Sequence, residues 1–120
     1  MSDKVNVAHS LKSITSYWDP HIAAELNGQH VKLAKFRGEF VWHKHDAEDE
    51  MFYVVKGSFD MHFRDRIVTI GEGEFIVVPR GVEHKPVAAD EVCVMLFEPA
   101  GTLNTGNVEN ELTKRNLKTI

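Results

Sequence analysis

The stretch Gly38-Glu39-Phe40-Val41-Trp42-His43-Lys44-His45-Asp46-Ala47-Glu48-Asp49-Glu50 decides how this chain reads. In an extended segment, residues two apart point to the same face, so His43 and His45 aim two imidazoles at one point. Asp46 to Asp49 reads as a loop, and Glu50 opens the apolar run Met51 to Val55. An antiparallel neighbour strand would bring Glu50 beside the two histidines. Further along, Pro79-Arg80-Gly81-Val82-Glu83-His84 sets a third imidazole just beyond a Pro/Gly turn. Three imidazoles and one carboxylate form a nitrogen and oxygen donor set for a divalent first-row metal, with ligand distances of about 2.0–2.2 Å. A lone His-x-His is a weak signal, and acid clusters such as Glu48-Asp49-Glu50 are usually solvated loops. The full spacing of histidines, Glu50 and glycines is what carries the reading.

Outward from this stretch, the chain reads as short strands separated by turns. Ile22 to Leu26, Asn27-Gly28 and Gln29 to Phe36 form a hairpin signal, because Asn-Gly supplies the positive φ angles of a tight turn. The rival is a helix with Asp19-Pro20 at its start and Gly28 at its stop; the strand-like remainder favours the hairpin. Phe40 to Lys44 and Met51 to Val55 read as strands. Phe59, Met61 and Phe63 alternate with polar residues, as in a half-buried strand. Ile67 to Ile70 follows the turn Arg64-Asp65-Arg66. Phe75 to Val78 reads as a buried strand and Val92 to Phe97 as the last one. Eight or nine short strands at regular spacing predict an antiparallel sandwich or barrel. The tail beyond Thr102 is polar, with room for a short helix, a cap over the barrel mouth or a crossing to a partner chain.

Composition bounds the function. The chain has 120 residues, 14 Lys+Arg against 18 Asp+Glu, seven histidines and one cysteine, Cys93. That length suits one domain, and a single cysteine excludes an internal disulfide framework or a Cys-rich zinc ribbon. The net charge of −4 argues against nucleic acid or an anionic membrane as main partner. No run approaches the ~18 apolar residues of a membrane span, and Met1 to Trp18 lacks the apolar centre of a signal peptide. A soluble, cytoplasmic domain is the expectation.

The motifs resemble those of the cupin family. Gly38, His43-Lys44-His45, Glu50 and Gly57 match the family's first motif, although four residues rather than five separate Gly38 from His43. Gly73, Pro79-Arg80-Gly81 and His84 match the second, with Ala88 in place of a frequent closing Asn. The fifteen residues between Gly57 and Gly73 resemble the short spacer of small single-domain members. The resemblance implies an all-β, cupin-type jelly-roll β-barrel with a short polar C-terminal tail. It divides the chain into an N-terminal arm (1–18), a cupin barrel domain (19–100) and a tail (101–120). It also implies one divalent transition metal ion (Fe, Mn, Ni, Zn or Cu) held by His43, His45, Glu50 and His84. The six-residue step to Gly57 singles out Glu50 over its rivals Glu48 and Asp49.

Strand parity places Phe52 and Val54 on the face of Glu50 and Val41 on that of His43 and His45, with Phe36, Met95 and Phe97 as further lining candidates. Lys35, Arg37, Arg80 and Lys85 are cations that could meet an anionic ligand, Arg37 foremost, although solvation is their ordinary role. Trp42 and Tyr53 lie out of phase with the ligands. His9 and His21 read as surface residues, His62 as exposed or at the rim, and Cys93 as a small core residue.

One such barrel hosts many chemistries. Three functions therefore compete: a metal-dependent enzyme of dioxygenase, isomerase or lyase type acting on a small organic molecule, a non-catalytic small-molecule binding module organised by the metal, and a metal-stabilised structural domain. Residues for catalysis beyond the ligands are not assigned. The resemblance further implies a homodimer, paired through sheet faces or exchanged N-terminal strands.

Overall fold

The computed structural model describes residues 3–120, so Met1 and Ser2 of the expected arm lie outside the described residues. Asn27 and Gly28 both take positive φ angles (50° and 74°) and join β1 (His21–Leu26) to β2 (Gln29–Glu39). Leu26 pairs directly with Gln29, so the hairpin reading holds and the helix does not. β3 (Glu50–Lys56), β4 (Ser58–Phe63), β5 (Ile67–Gly71), β6 (Phe75–Val78) and the 16-residue β7 (His84–Pro99) complete a seven-stranded antiparallel sheet.

β7 organises the molecule. One edge pairs with β2 over nearly its whole length. The other edge serves two arms: residues 84–87 pair with β4, and residues 93–97 pair with β3. β5 extends the first arm and β6 the second. Register shifts between Phe36 and Gly38 and between Val54 and Lys56 mark where the ladders bend. Residues of both arms share one core with the long strands, including Phe36, Phe52, Phe59, Met61, Val92 and Val94. The hydrogen-bonded path stays open, with β1, β5 and β6 at edges, so the strands do not close into a barrel by backbone pairing.

The opposite face of β2 and β7 is covered from the N-terminal side. Asn6 caps a short helix, α1 (Val7–Lys12), by accepting from the His9 amide at 2.9 Å. Leu11 and Ile14 then pack on Leu33 and Cys93, which confirms Cys93 as a core residue. Among the described residues, no helix is long and apolar enough to cross a membrane.

Several expectations are corrected. Among the described residues the strands number seven rather than eight or nine, because β2 and β7 are longer than their apolar runs: β7 begins at His84, eight residues before Val92. Phe40 to Lys44 is not a strand. The ladder ends at Glu39, opposite Val87, and beyond it only His43 pairs again, in a single bridge to His84. Phe75 to Val78 is an edge strand rather than a buried one, with Phe75 61% and Val77 50% exposed, because it pairs with β3 alone. His21 is buried, its Nδ1–H donating to the Asp19 carbonyl at 2.7 Å. The tail forms turns instead of a helix and returns to β1, where the Ile22 amide donates to the Lys118 carbonyl at 2.8 Å.

Candidate metal centre

His43 and His84 face each other across that single bridge, each amide donating to the other's carbonyl (3.1 and 2.9 Å). Their rings come within 4.2 Å, centroid to centroid. His45 follows two residues on, and its carbonyl accepts from the Gly81 amide at 2.8 Å, which ties the His-x-His segment to the Pro79-Arg80-Gly81 turn. Glu50 opens β3, with Oε1 3.2 Å from His45 Nε2 and 3.7 Å from His84 Nε2. One donor atom from each of the four residues lies within 4.8 Å of the others, and all four side chains are buried. The sequence pattern therefore brings His43, His45, Glu50 and His84 together. Neither Glu48 nor Asp49 joins them: Asp49 accepts from the Arg80 amide at 2.9 Å and from its guanidinium, which holds the Asp49 carboxyl below its usual range.

The protonation pattern suits a cation. Nδ1–H of His43 donates to the Val41 carbonyl (2.8 Å) and Nδ1–H of His84 to the Val82 carbonyl (2.9 Å). Both carbonyls fix the tautomer and turn the Nε2 lone pairs inward. Burial and the neighbouring His84 press the His43 pKa down to about 4, so its ring is neutral at physiological pH. Nε2 of His43, His45 and His84 and Oε1 of Glu50 are buried with no hydrogen-bond partner. Such orphaned atoms are expensive. A divalent cation would satisfy all four at once, so the residues present fit a metal.

Behind Glu50 lies a polar row that the sequence reading missed. Lys32 of β2 and Glu98 of β7 are both only 2% exposed, and Lys32 Nζ donates to Glu98 Oε1 at 2.7 Å. Glu98 in turn reaches Glu50, so three charged side chains cross adjacent strands on the inner face. Burial and the Glu50 charge push the Glu98 carboxyl well above its usual range, against the pull of Lys32. Burial would also raise Glu50, but the close approach of Glu98, His45 and His84 outweighs it and holds the Glu50 carboxyl low. The available signal was parity. Lys32 shares a face with Ala34 and Phe36, and Glu98 shares one with Val94 and Leu96.

Beside His43 and Glu50 opens a cavity with an empty volume of about 320 Å³. Phe36 and Phe52 line it as parity predicts, with Trp18, Phe40 and Leu96. Val41, Val54, Met95 and Phe97 do not. Met95 packs toward the α1 side, because Leu96 takes the inward position on β7. The cations are elsewhere as well. Arg80 pairs with Asp49 and Lys85 with Glu39 (2.6 Å), Lys35 borders a groove under α1, and Arg37 is exposed, offering only its carbonyl to Trp18 Nε1 (3.0 Å). Trp42 lies outside the cavity under the Arg64 guanidinium, 3.8 Å from the ring centroid.

The tail closes the site. Lys44 and Asn107 exchange two hydrogen bonds (2.9 and 3.1 Å), and Asn104 reaches the cavity wall. At Gly106 (φ 57°), a Cβ would collide with the Lys44 carbonyl, so this approach requires glycine.

The sequence model of the cupin domain family matches residues 29–98. A solved cupin-2 domain protein from Shewanella frigidimarina is 42% identical with a TM-score of 0.78, covering 79% of this chain and 93% of that one. The solved protein NMB1881 from Neisseria meningitidis is 32% identical with a TM-score of 0.75, over 82% of this chain and 100% of that one. Uncharacterized protein YdbB of Bacillus subtilis is 33% identical over 63 residues, which are 52% of this chain. The match spans 56% of that relative's length.

Proposed function

The chain belongs to the cupin domain family, and on that premise we propose that it holds one divalent transition metal ion on His43, His45, Glu50 and His84 and acts on a small organic molecule. The observation that carries this reading is the convergence of four buried, unpartnered donor atoms. A metal in this set would supply Lewis-acid or redox chemistry of dioxygenase, isomerase or lyase type. The chain's own residues keep the His43 ring neutral, fix the His43 and His84 tautomers through the Val41 and Val82 carbonyls, and hold the tail against Lys44 through Asn107.

A second reading, a non-catalytic binding cupin whose metal is structural, is favoured by one observation. Apart from the ligands, the polar groups on the cavity wall are the Asn104 amide, committed to Leu112 and Lys114, and the Trp18 indole N–H, which donates to the Arg37 carbonyl.

Elemental analysis of protein purified without a histidine tag tests the metal. We expect about one ion per chain, drawn from Fe, Mn, Ni, Zn and Cu, and its loss in His43→Ala and His84→Ala. Full metal content in both variants would overturn the assignment. Turnover across oxygen-dependent and oxygen-independent substrate panels separates the enzyme from the binding module.

The same proposal includes jelly-roll closure of the bent sheet, a barrel domain over 19–100, a cytoplasmic setting and a homodimer. Light scattering reads the last directly.

A further inference from the structure

The walls of the cavity beside His43 and Glu50 restrict what can enter. Trp18 stacks between Phe36 and Phe40, with ring centroids at 4.4 and 4.8 Å, and Phe52 and Leu96 complete the apolar surface. Pro20 and Pro86, also on the wall, carry no amide hydrogen. The Asn104 amide donates to the Leu112 carbonyl and accepts from the Lys114 amide, both at 2.9 Å, which leaves it no free end. Among the described residues no lysine or arginine lines the space, and the buried Lys32 is taken by Glu98. A hydroxyl-rich ligand, a sugar or a sugar phosphate, would therefore bury polar groups without partners. The empty space of about 320 Å³ includes open solvent and so bounds the cavity from above, which leaves room only for a compact molecule.

We propose that this cavity takes a compact molecule with an apolar body and a single oxygen donor, of the phenol type, and rejects sugars and sugar phosphates. The oxygen donor rests on the metal reading above, whereas the apolar body rests on the walls alone.

Trp42→Phe leaves Trp18 as the sole tryptophan and thus a reporter within the wall. This variant, with and without Co²⁺, is titrated with phenol, glucose and glucose 6-phosphate. Phenol is expected to quench Trp18 emission saturably in both forms and to shift the visible cobalt band. Glucose and its phosphate are expected to bind at least about tenfold more weakly. Adding Phe40→Leu should weaken phenol about tenfold, because the ring it removes lies against Trp18. Glucose 6-phosphate binding as tightly as phenol overturns the proposal, as does an absence of phenol quenching or no response to Phe40→Leu. Failure to take up Co²⁺ would instead defeat the metal reading, and quenching in the metal-free form would still decide the nature of the apolar body.

Discussion

His43 ties the metal centre to folding through its proton. Its pKa falls from 6.5 to about 4, chiefly by burial and then by the adjacent His84. An unfolded chain binds a proton there below pH 6.5, whereas the folded, metal-free chain refuses it until about pH 4. The stability associated with the neutral ring is therefore complete above pH 6.5. It drains away as pH falls toward 4 and is constant below that. Over this window the loss is roughly 3 kcal/mol at about 1.4 kcal/mol per unit. Urea denaturation of chelator-treated protein between pH 7.5 and 4 should show this slope, and His43→Gln should flatten it. A slope unchanged by the substitution would mean that another group controls acid sensitivity. The four candidate ligands were legible at this scale because their spacing survives any detail of the loop between them. The roles of Asp49 and Arg80 were not, since one carboxylate in an acid cluster is distinguished only by what it meets in space.

At the scale of elements, the β2–β7–β3 arrangement carries the buried row from Lys32 through Glu98 to Glu50. Removing one member of a buried ion pair strands the other, at a cost of about 3–5 kcal/mol, whereas replacing both with apolar residues is often close to neutral. Glu98→Leu should thus destabilise by an amount in that range, and Lys32→Met with Glu98→Leu should recover most of it in thermal or urea unfolding. Equal destabilisation in the single and double variants would show that the pair is not energetically coupled. Alternation read the apolar strands correctly but assigns charged residues outward by default. Lys32 and Glu98 break that default because Lys32 Nζ donates to Glu98 across strands, between residues 66 apart in sequence. The same limit hid the first half of β7: Lys85, Pro86, Val87 and Ala88 do not look like a strand until β2 and β4 pair beside them.

For the whole molecule, a ligand that binds only the folded chain adds to its stability by mass action, about 4 kcal/mol when present at a thousand times its dissociation constant. Chelation should lower the melting temperature of the metal-loaded protein, and the shift should vanish in His84→Ala. An unchanged melting temperature in the wild type would argue against a metal linked to the fold. The sequence by itself determined the all-β class, the Asn27-Gly28 hairpin, the family and the four donors, because turn chemistry, alternation and ligand spacing are local properties of the chain. Only the tertiary structure decided which strands are edges, how the tail covers Lys44, that the cavity is apolar and free of lysine and arginine, and that Lys32 and Glu98 lie inside. Those features depend on which surfaces meet when the sheet bends over its core, and burial and pairing across long sequence distances leave no local mark.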